Sequence, residues 1–305
     1  MSDNHKGIAY ALVTLTFWGF LPIFLKVAVS EVSPQTIVWF RFCSAFIMLL
    51  IWNIIQHPKE LQVFIKPPLA LLIASACLAW NYFGFMQAVN YTSPSNAQLV
   101  MQVGPVLLAL AGVVLFKEQL KKIQMSGFIV AMIGFVLFYQ QQVSLASINK
   151  ENYNIGVLFA VSGLTTWAIY AVLQKKLVLR YNTRALNTFI FAFATIVYLP
   201  FVEFSDFIGL TFGDWLLLLF LGLNTLVAYG CLSQALKYTQ ANKVSVILLL
   251  NPIITFAAMS ILSFLDVKWI AKEEFTPLSI LSAILVLTGA ILVIRKPKMD
   301  NQLQN

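Results

Sequence analysis

Residues 88–105 read AVNYTSPSNAQLVMQVGP, and residues 235–252 read ALKYTQANKVSVILLLNP. An offset of 147 sets Ala88 on Ala235, Tyr91 on Tyr238, Thr92 on Thr239 and Pro105 on Pro252. Each copy is a short polar turn followed by an apolar run long enough to cross a bilayer, with a proline near the middle of the run. Such a proline removes one backbone donor and crowds the carbonyl four residues earlier, so the helix bends or opens. Facing lipid, the freed carbonyl would be costly; lining a polar cavity, it is a usable acceptor. Proline-interrupted segments at matching places in two halves point to a central site between them.

Outward from these two stretches the whole chain is apolar. Hydrophobic residues make up 60% and charged residues 10%, with a mean hydropathy of +0.83. An ordinary soluble domain, in which about a quarter of residues are charged, is excluded. The net charge of +8 does not call for nucleic acid, because the basic residues sit in short gaps between apolar runs, as at a membrane surface. The expected partners are membrane lipids and a small-molecule substrate, with no nucleic acid; the pattern suits a monomer and a homodimer equally. Cys43, Cys77 and Cys231 lie inside apolar runs and read as buried thiols. The first run, Ile8–Val29, is too long for a signal peptide and has no A-x-A-like site after it, so it is a retained span.

Ten runs of about twenty residues, the length a helix needs to cross about 30 Å of hydrocarbon, lie near 7–29, 34–55, 68–90, 95–116, 123–141, 154–174, 185–203, 213–236, 241–264 and 276–294. The expected fold is an all-α multipass membrane protein of ten transmembrane helices. With the N-terminus in the cytoplasm, the inner side receives most of the basic residues, from Lys6 and Lys66 through Lys117, Lys121, Lys122, Lys175, Lys176, Arg180 and Arg184 to Lys237, Lys243, Arg295, Lys296 and Lys298. The outer side receives Lys26, Lys150, Lys268 and Lys272. That skew predicts both termini in the cytoplasm.

The repeat extends beyond the opening stretch. An offset of 149 sets Gly7 on Gly156, Trp18 on Trp167 and Lys26 on Lys175; after an insertion near 266–273, an offset of 155 sets Glu118 on Glu273 and Gly134 on Gly289. Five spans per half is an odd number, so the second copy enters the membrane from the opposite side. The expected organisation is a five-helix repeat over 1–141, an external loop over 142–153, an inverted five-helix repeat over 154–296, and a cytoplasmic tail over 297–305. Inverted repeats carry a central site and open it alternately to each side by rocking one bundle against the other.

Trp18-Gly19 with Lys26, Arg41-Phe42, Tyr91-Thr92 leading to Pro105, then Glu118, together with their echo in the second half, resemble the ten-span EamA branch of the drug/metabolite transporter superfamily. The resemblance covers nearly the whole chain. Lys117 departs from it, standing where the family usually has glycine before the glutamate, and the insertion displaces Glu273. The resemblance implies a multipass carrier of small metabolites, commonly an exporter, in a prokaryotic inner membrane.

The candidate site follows from polar and aromatic residues at mid-span. Trp18, Trp80 and Trp167 lie near span centres, and the repeat places Trp18 and Trp167 symmetrically, which favours cavity lining over simple space filling. Ser95, Gln98, Gln102 and Pro105 share one helical face. Asn81 and Tyr82, Tyr229 matched to Tyr82, and Tyr170 and Gln174 beyond Trp167 are further candidates. The second-half counterparts of the fourth-span face are Asn242, Ser245, Leu249 and Pro252, so a substrate would turn its polar group to span four and its apolar body to span nine. The expected substrate-binding set is Trp18, Asn81, Tyr82, Gln98, Gln102, Pro105, Trp167, Tyr170, Tyr229, Ser245 and Pro252. Isolated residues such as Ser162, Thr195 and Ser260 read as interhelical glue or as back-bonded to their own helix. Arg41, the only charge well inside a run, is within snorkelling reach of the outer face and reads as structural, on backbone carbonyls or Glu31. Lys26 and Lys175 read as interfacial anchors.

No cofactor or metal is expected. His5 and His57 fall in predicted cytoplasmic segments, there is no H-E-x-x-H and no G-x-x-x-x-G-K-[ST], and no carboxylate sits at mid-span. The function this supports is a secondary transporter, and not an enzyme, for a small amphipathic metabolite such as an amino acid. The alternatives are a membrane enzyme acting on lipid-linked substrates and a non-transporting interaction protein.

Overall fold

The structure, a computed structural model, describes residues 3–56, 58–117, 122–145, 150–273 and 276–294. His57, Glu118, Lys121, Arg295, residues 146–149 of the expected linker loop and the tail over 297–305 lie outside the described residues, while 142–145 and 150–153 of that loop are helical. The described residues form twelve α-helices: α1 Asp3–Ala28, α2 Pro34–Gln56, α3 Leu69–Tyr91, α4 Pro94–Met101, α5 Val103–Phe116, α6 Lys122–Leu145, α7 Lys150–Leu177, α8 Thr183–Tyr198, α9 Phe212–Tyr238, α10 Ala241–Leu248, α11 Asn251–Phe264 and α12 Pro277–Ile294. There is no strand among the described residues. Eight membrane-crossing rods are long and apolar enough by themselves; α6 and α12 carry shorter apolar stretches, Met125–Phe138 and Pro277–Val286, and complete the ten.

Twelve helices make ten spans because the fourth and ninth are each broken. α4 stops at Met101 and α5 resumes at Val103, with the Gln102 N–H reaching back three residues to Leu99 O at 3.0 Å. α10 stops at Leu248 and α11 resumes at Asn251, with the Leu250 N–H on Ile247 O at 3.1 Å. Pro105 and Pro252 follow closely, each unable to bond the carbonyl four residues behind it, so the sequence that suggests the breaks also causes them.

The helices pair across the halves. α3 packs on α7 and α1 on α9, α2 lies against α8, α5 against α10, and α6 pairs with α12. Each pairing maps onto itself or onto another when the halves are exchanged, as two inverted five-helix repeats require. Small residues set the closest approaches. A Cβ on Gly84 would meet the Phe159 carbonyl at 2.7 Å, and one on Gly289 would lie 2.5 Å from Ala131 N. Close backbone approach of this kind replaces the hydrophobic drive that lipid does not supply.

Lys26 and Lys175 each cap the end of a neighbouring helix. The Lys26 ammonium donates to the carbonyls of Val89, Asn90 and Thr92 at 3.1, 3.0 and 3.3 Å, and Lys175 donates to Leu236 and Thr239 at 2.7 and 2.6 Å. Each lysine satisfies the orphan carbonyls at the end of α3 or α9 and meets the negative end of that helix dipole. The two clamps sit on the repeated Tyr-Thr turns, at opposite ends of the bundle. Beside the first, Ser93 caps α4 by accepting from Asn96 N at 3.4 Å, and the Glu273 carboxylate accepts from Ser95 N at 3.1 Å. Burial pushes the Glu273 carboxyl above the usual carboxylate range, against the opposing pull of the Ser95 bond and the Lys26 charge.

Candidate functional site

The break at Gln102 opens onto a cavity of about 60 Å³ at the centre of the bundle. The fourth span contributes Gln98, Met101, Gln102 and Pro105; α1 adds Trp18 and Leu21, and α3 adds Asn81, Tyr82 and Phe85. Arg41 from α2, Trp167 from α7, Tyr229 from α9 and Asn251 from α11 close the ring.

Aromatic rings build one wall. Trp18 meets Trp167 edge-on at 6.0 Å and Tyr229 at 5.1 Å; Tyr229 continues to Tyr82 at 5.4 Å. Pairs at these spacings add about 0.5–1.5 kcal/mol each beyond the area they bury. The symmetric tryptophans therefore touch each other across the cavity. Polar bonds fix the remaining wall. Gln102 Nε2 donates to Gln98 O at 3.1 Å, Tyr229 OH to Asn81 Oδ1 at 3.3 Å, and Asn81 Nδ2 to Gly163 O at 3.1 Å. Gln102 Oε1 and Asn251 Oδ1 are buried acceptors without a donor.

The structure brings Trp18, Asn81, Tyr82, Gln98, Gln102, Pro105, Trp167 and Tyr229 around this one cavity. It leaves out the remaining three expected residues. Tyr170 is fully buried one layer behind, its ring 5.8 Å from Tyr229. The Ser245 hydroxyl turns back onto Ala241 O at 2.8 Å. Pro252 faces a separate apolar groove with Leu99, Phe256 and Val286, and Leu249 is buried in an apolar cluster with Val106 and Phe128. Gln174 also lies elsewhere, bonded to Asn187 and Ser233 at 3.1 and 2.8 Å, so it ties α7 to α8 and α9. Trp80 reaches Ser162 at 3.1 Å on the outer surface of the bundle.

The residues that sequence reasoning missed are Leu21, Phe85, Met101, Asn251 and above all Arg41. The apolar three carry no signal that separates them from ordinary packing. Asn251 carries one, an amide in an apolar run directly before the proline. Arg41 carries the strongest, an intramembrane charge, but the snorkelling interpretation turns it outward. It points inward: it is 2% exposed, its Nε donates to Thr225 Oγ1 at 3.2 Å, and its guanidinium lies 4.4 Å from the Tyr82 ring centroid. Glu31 is not its partner.

The EamA-like transporter family profile matches residues 5–140 and again 154–295. YhbE of Escherichia coli, described as an uncharacterized inner membrane transporter, is 33% identical over 288 residues, covering 93% of this chain and 90% of its own. An uncharacterized transporter of Haemophilus influenzae is 31% identical over 290 residues, 94% of each chain. A solved crystal structure superposes with a TM-score of 0.71 at 16% identity, over 94% of this chain and 96% of its own, and so shares the fold.

Proposed function

The chain belongs to the EamA-like transporter family and is a membrane transporter of that family; we propose that it exports a small amphipathic metabolite, such as an amino acid or related compound, by alternating access around the central cavity. One observation carries this reading: both halves contribute side chains to one central cavity, and a polar clamp lies at each end of the bundle. At one end Lys26, Ser95 and Glu273 tie α1, α3, α4 and the segment before α12 together. At the other, Lys175 holds the Thr239 carbonyl, while Asn4 Oδ1 accepts from Thr239 Oγ1 at 2.8 Å and from Lys243 at 2.9 Å. Each bond contributes about 0.5–1.5 kcal/mol net, so either clamp can be released without unfolding the bundle. Releasing one at a time opens one face at a time.

The cavity lining carries no carboxylate, histidine or cysteine, which favours transport over enzymatic work on lipid-linked substrates. In the proposed topology the termini and the Lys175 clamp face the cytoplasm, the Lys26 clamp faces outward, and the membrane is the inner one, as in the name of YhbE. The test is counterflow of labelled amino acids by the purified full chain in proteoliposomes, joined to a topology reporter active only outside the cytoplasm. We expect exchange above empty liposomes, an active reporter after Ser147 and a silent one after Asn305. Absence of exchange for every metabolite whose cellular level depends on the protein would overturn the transport reading, and the opposite reporter pattern would overturn the orientation.

A further inference from the structure

Among the described residues Arg41 is the largest fully buried side chain, and no ion pair neutralises it. Its Nε donates to Thr225 Oγ1, and the guanidinium also meets the Tyr82 hydroxyl; among the described residues its partners include no carboxylate and no backbone carbonyl. Its position over the Tyr82 ring offsets part of the cost of burying the charge, whereas a buried cation without a counter-charge is costly. A purely structural arginine in such a place is expected to hold a carboxylate or several backbone carbonyls. This one holds neither, and it lines the cavity.

Opposite needs meet in the same space. Gln102 and Asn251, 2% and 3% exposed, each present a carbonyl oxygen that accepts no hydrogen bond. The cavity thus has a cation without a counter-charge and two acceptors without donors, and no carboxylate of its own. A water molecule satisfies the acceptors; it does not neutralise the guanidinium.

We propose that Arg41 is the anion receptor of this transporter, and that the cargo is a small carboxylic acid bearing an N–H or O–H donor beside the carboxylate. The carboxylate takes the terminal nitrogens of Arg41 in the two-pronged geometry that guanidinium favours. The neighbouring amino or hydroxyl group donates to Gln102 Oε1 and Asn251 Oδ1, and the apolar part of the molecule lies against the Trp18 ring. The proposal rests on the transport reading and narrows it to a substrate class. It also gives Arg41 a specificity-determining role.

The experiment uses the purified full-length chain, wild type, Arg41→Gln and Arg41→Lys, with two readouts. The first is the shift in thermal unfolding caused by lactate, alanine, serine and phenylalanine, against lactamide and phenylalaninol, which keep the donor and lose the carboxylate. The second is uptake of the same labelled compounds into proteoliposomes. The expected result is that at least one acid stabilises and is transported by the wild type while its carboxylate-free analogue is not. Arg41→Gln should lower apparent affinity for that acid at least about tenfold, with Arg41→Lys in between. Because the variant removes an unpaired buried charge, the ligand-free Arg41→Gln protein should melt no lower than the wild type. A structural arginine predicts the reverse, a lower melting temperature with the acid-induced shift retained, and that outcome overturns the proposal. So does equal binding of acids and their carboxylate-free analogues, or binding of no acid at all. Binding without uptake would leave Arg41 as receptor and overturn the transport reading alone.

Discussion

The fourth and ninth spans start from the same sequence pattern and end as different walls. Both begin with an eight-residue helix, Pro94–Met101 and Ala241–Leu248, at positions matched by the 147-residue offset. Both resume as fourteen-residue helices, but the first break is one residue long and the second two. No residue is inserted between the copies, since the offset of 147 holds through both breaks; they differ in where regular helical bonding resumes. Pro105 faces the cavity while Pro252 faces an apolar groove, and Asn251 stands at the cavity instead. A repeat preserves where a helix breaks; the local backbone at the break and the packed neighbours decide which residues face inward afterwards. The asymmetry gives the cavity its mixed character, since symmetric copies would have placed two prolines there.

The sharpest way to break this comparison is to exchange the polar and apolar residues at matched positions. Gln102→Leu removes a cavity amide, and we expect apparent affinity to fall about tenfold or more, in line with about 1–3 kcal/mol for a desolvated group left unpaired. Its melting temperature should change little, because the variant loses one bond, from Nε2 to Gln98 O, while Oε1 has no partner to lose. Leu249→Gln forces an amide into the cluster of Val106, Ala109, Phe128 and Val246. There the cost falls on the fold, so melting temperature and yield should drop while the affinity of the protein that remains is unchanged. Transport by matched amounts of each variant, alongside thermal unfolding in detergent, separates the two. Equal losses of affinity would mean that Leu249 shares the cavity and the difference between the two walls does not hold.

A smaller effect is expected at the prolines. Alanine at 105 restores a backbone donor, straightens the α4–α5 break beside the cavity, and should lower turnover several-fold at unchanged expression. Pro252→Ala straightens a break whose proline packs on Leu99 and Phe256, and its turnover should fall less. Initial rates in proteoliposomes decide the order. If the two variants lose turnover equally, both breaks work as hinges regardless of what faces the cavity.

These contrasts also mark how far the sequence could be read. Span positions were legible because a helix must be about twenty residues long to cross hydrocarbon, and the breaks were legible because proline has one fixed chemistry. The Trp18–Trp167 contact followed from the repeat, since symmetry brings equivalent positions on equivalent helices to one axis. The exchange of Asn251 for Pro252 was not legible, because the backbone of an irregular segment and its packed neighbours leave no trace in apolar periodicity. Tyr170 and Ser245 point along correct faces but lie one layer from the cavity, a depth that spacing alone does not encode. Arg41 and Lys26 show the same failure in two directions. A long cationic side chain can snorkel, cap a neighbouring helix or turn inward, and only the packed neighbours decide among these.

The smallest contrast lies at the far ends of the two broken spans, where each closes on a non-glycine residue in the left-handed region. Lys117 has φ 53° and ψ 31°, its N–H bonded back to Gly112 O, and Asp266 has φ 52°. The left-handed conformation costs an L-residue with a side chain about 1–2 kcal/mol, of which glycine gives back part through its greater freedom in the unfolded chain. That accounts for the glycine the family usually carries where Lys117 stands. Lys117→Gly should therefore raise the melting temperature by about 1–2 °C, from about 0.5–1 kcal/mol spread over a chain of this size. Asp266 differs in two respects. Aspartate tolerates this region better than lysine, and its carboxylate pairs with Lys268 and Lys272 at 2.8 Å each. The hydrogen bonds from Lys268 and then Lys272 hold its carboxyl below the usual carboxylate range, so the pairs stabilise the fold at neutral pH and are lost as pH falls through that lowered value. Asp266→Gly should consequently leave the melting temperature unchanged or slightly lower at pH 7, and the deficit should shrink as the pH is lowered. Unfolding curves of both variants across pH check it: a gain at 266 equal to that at 117 at neutral pH would show that backbone strain alone sets both ends.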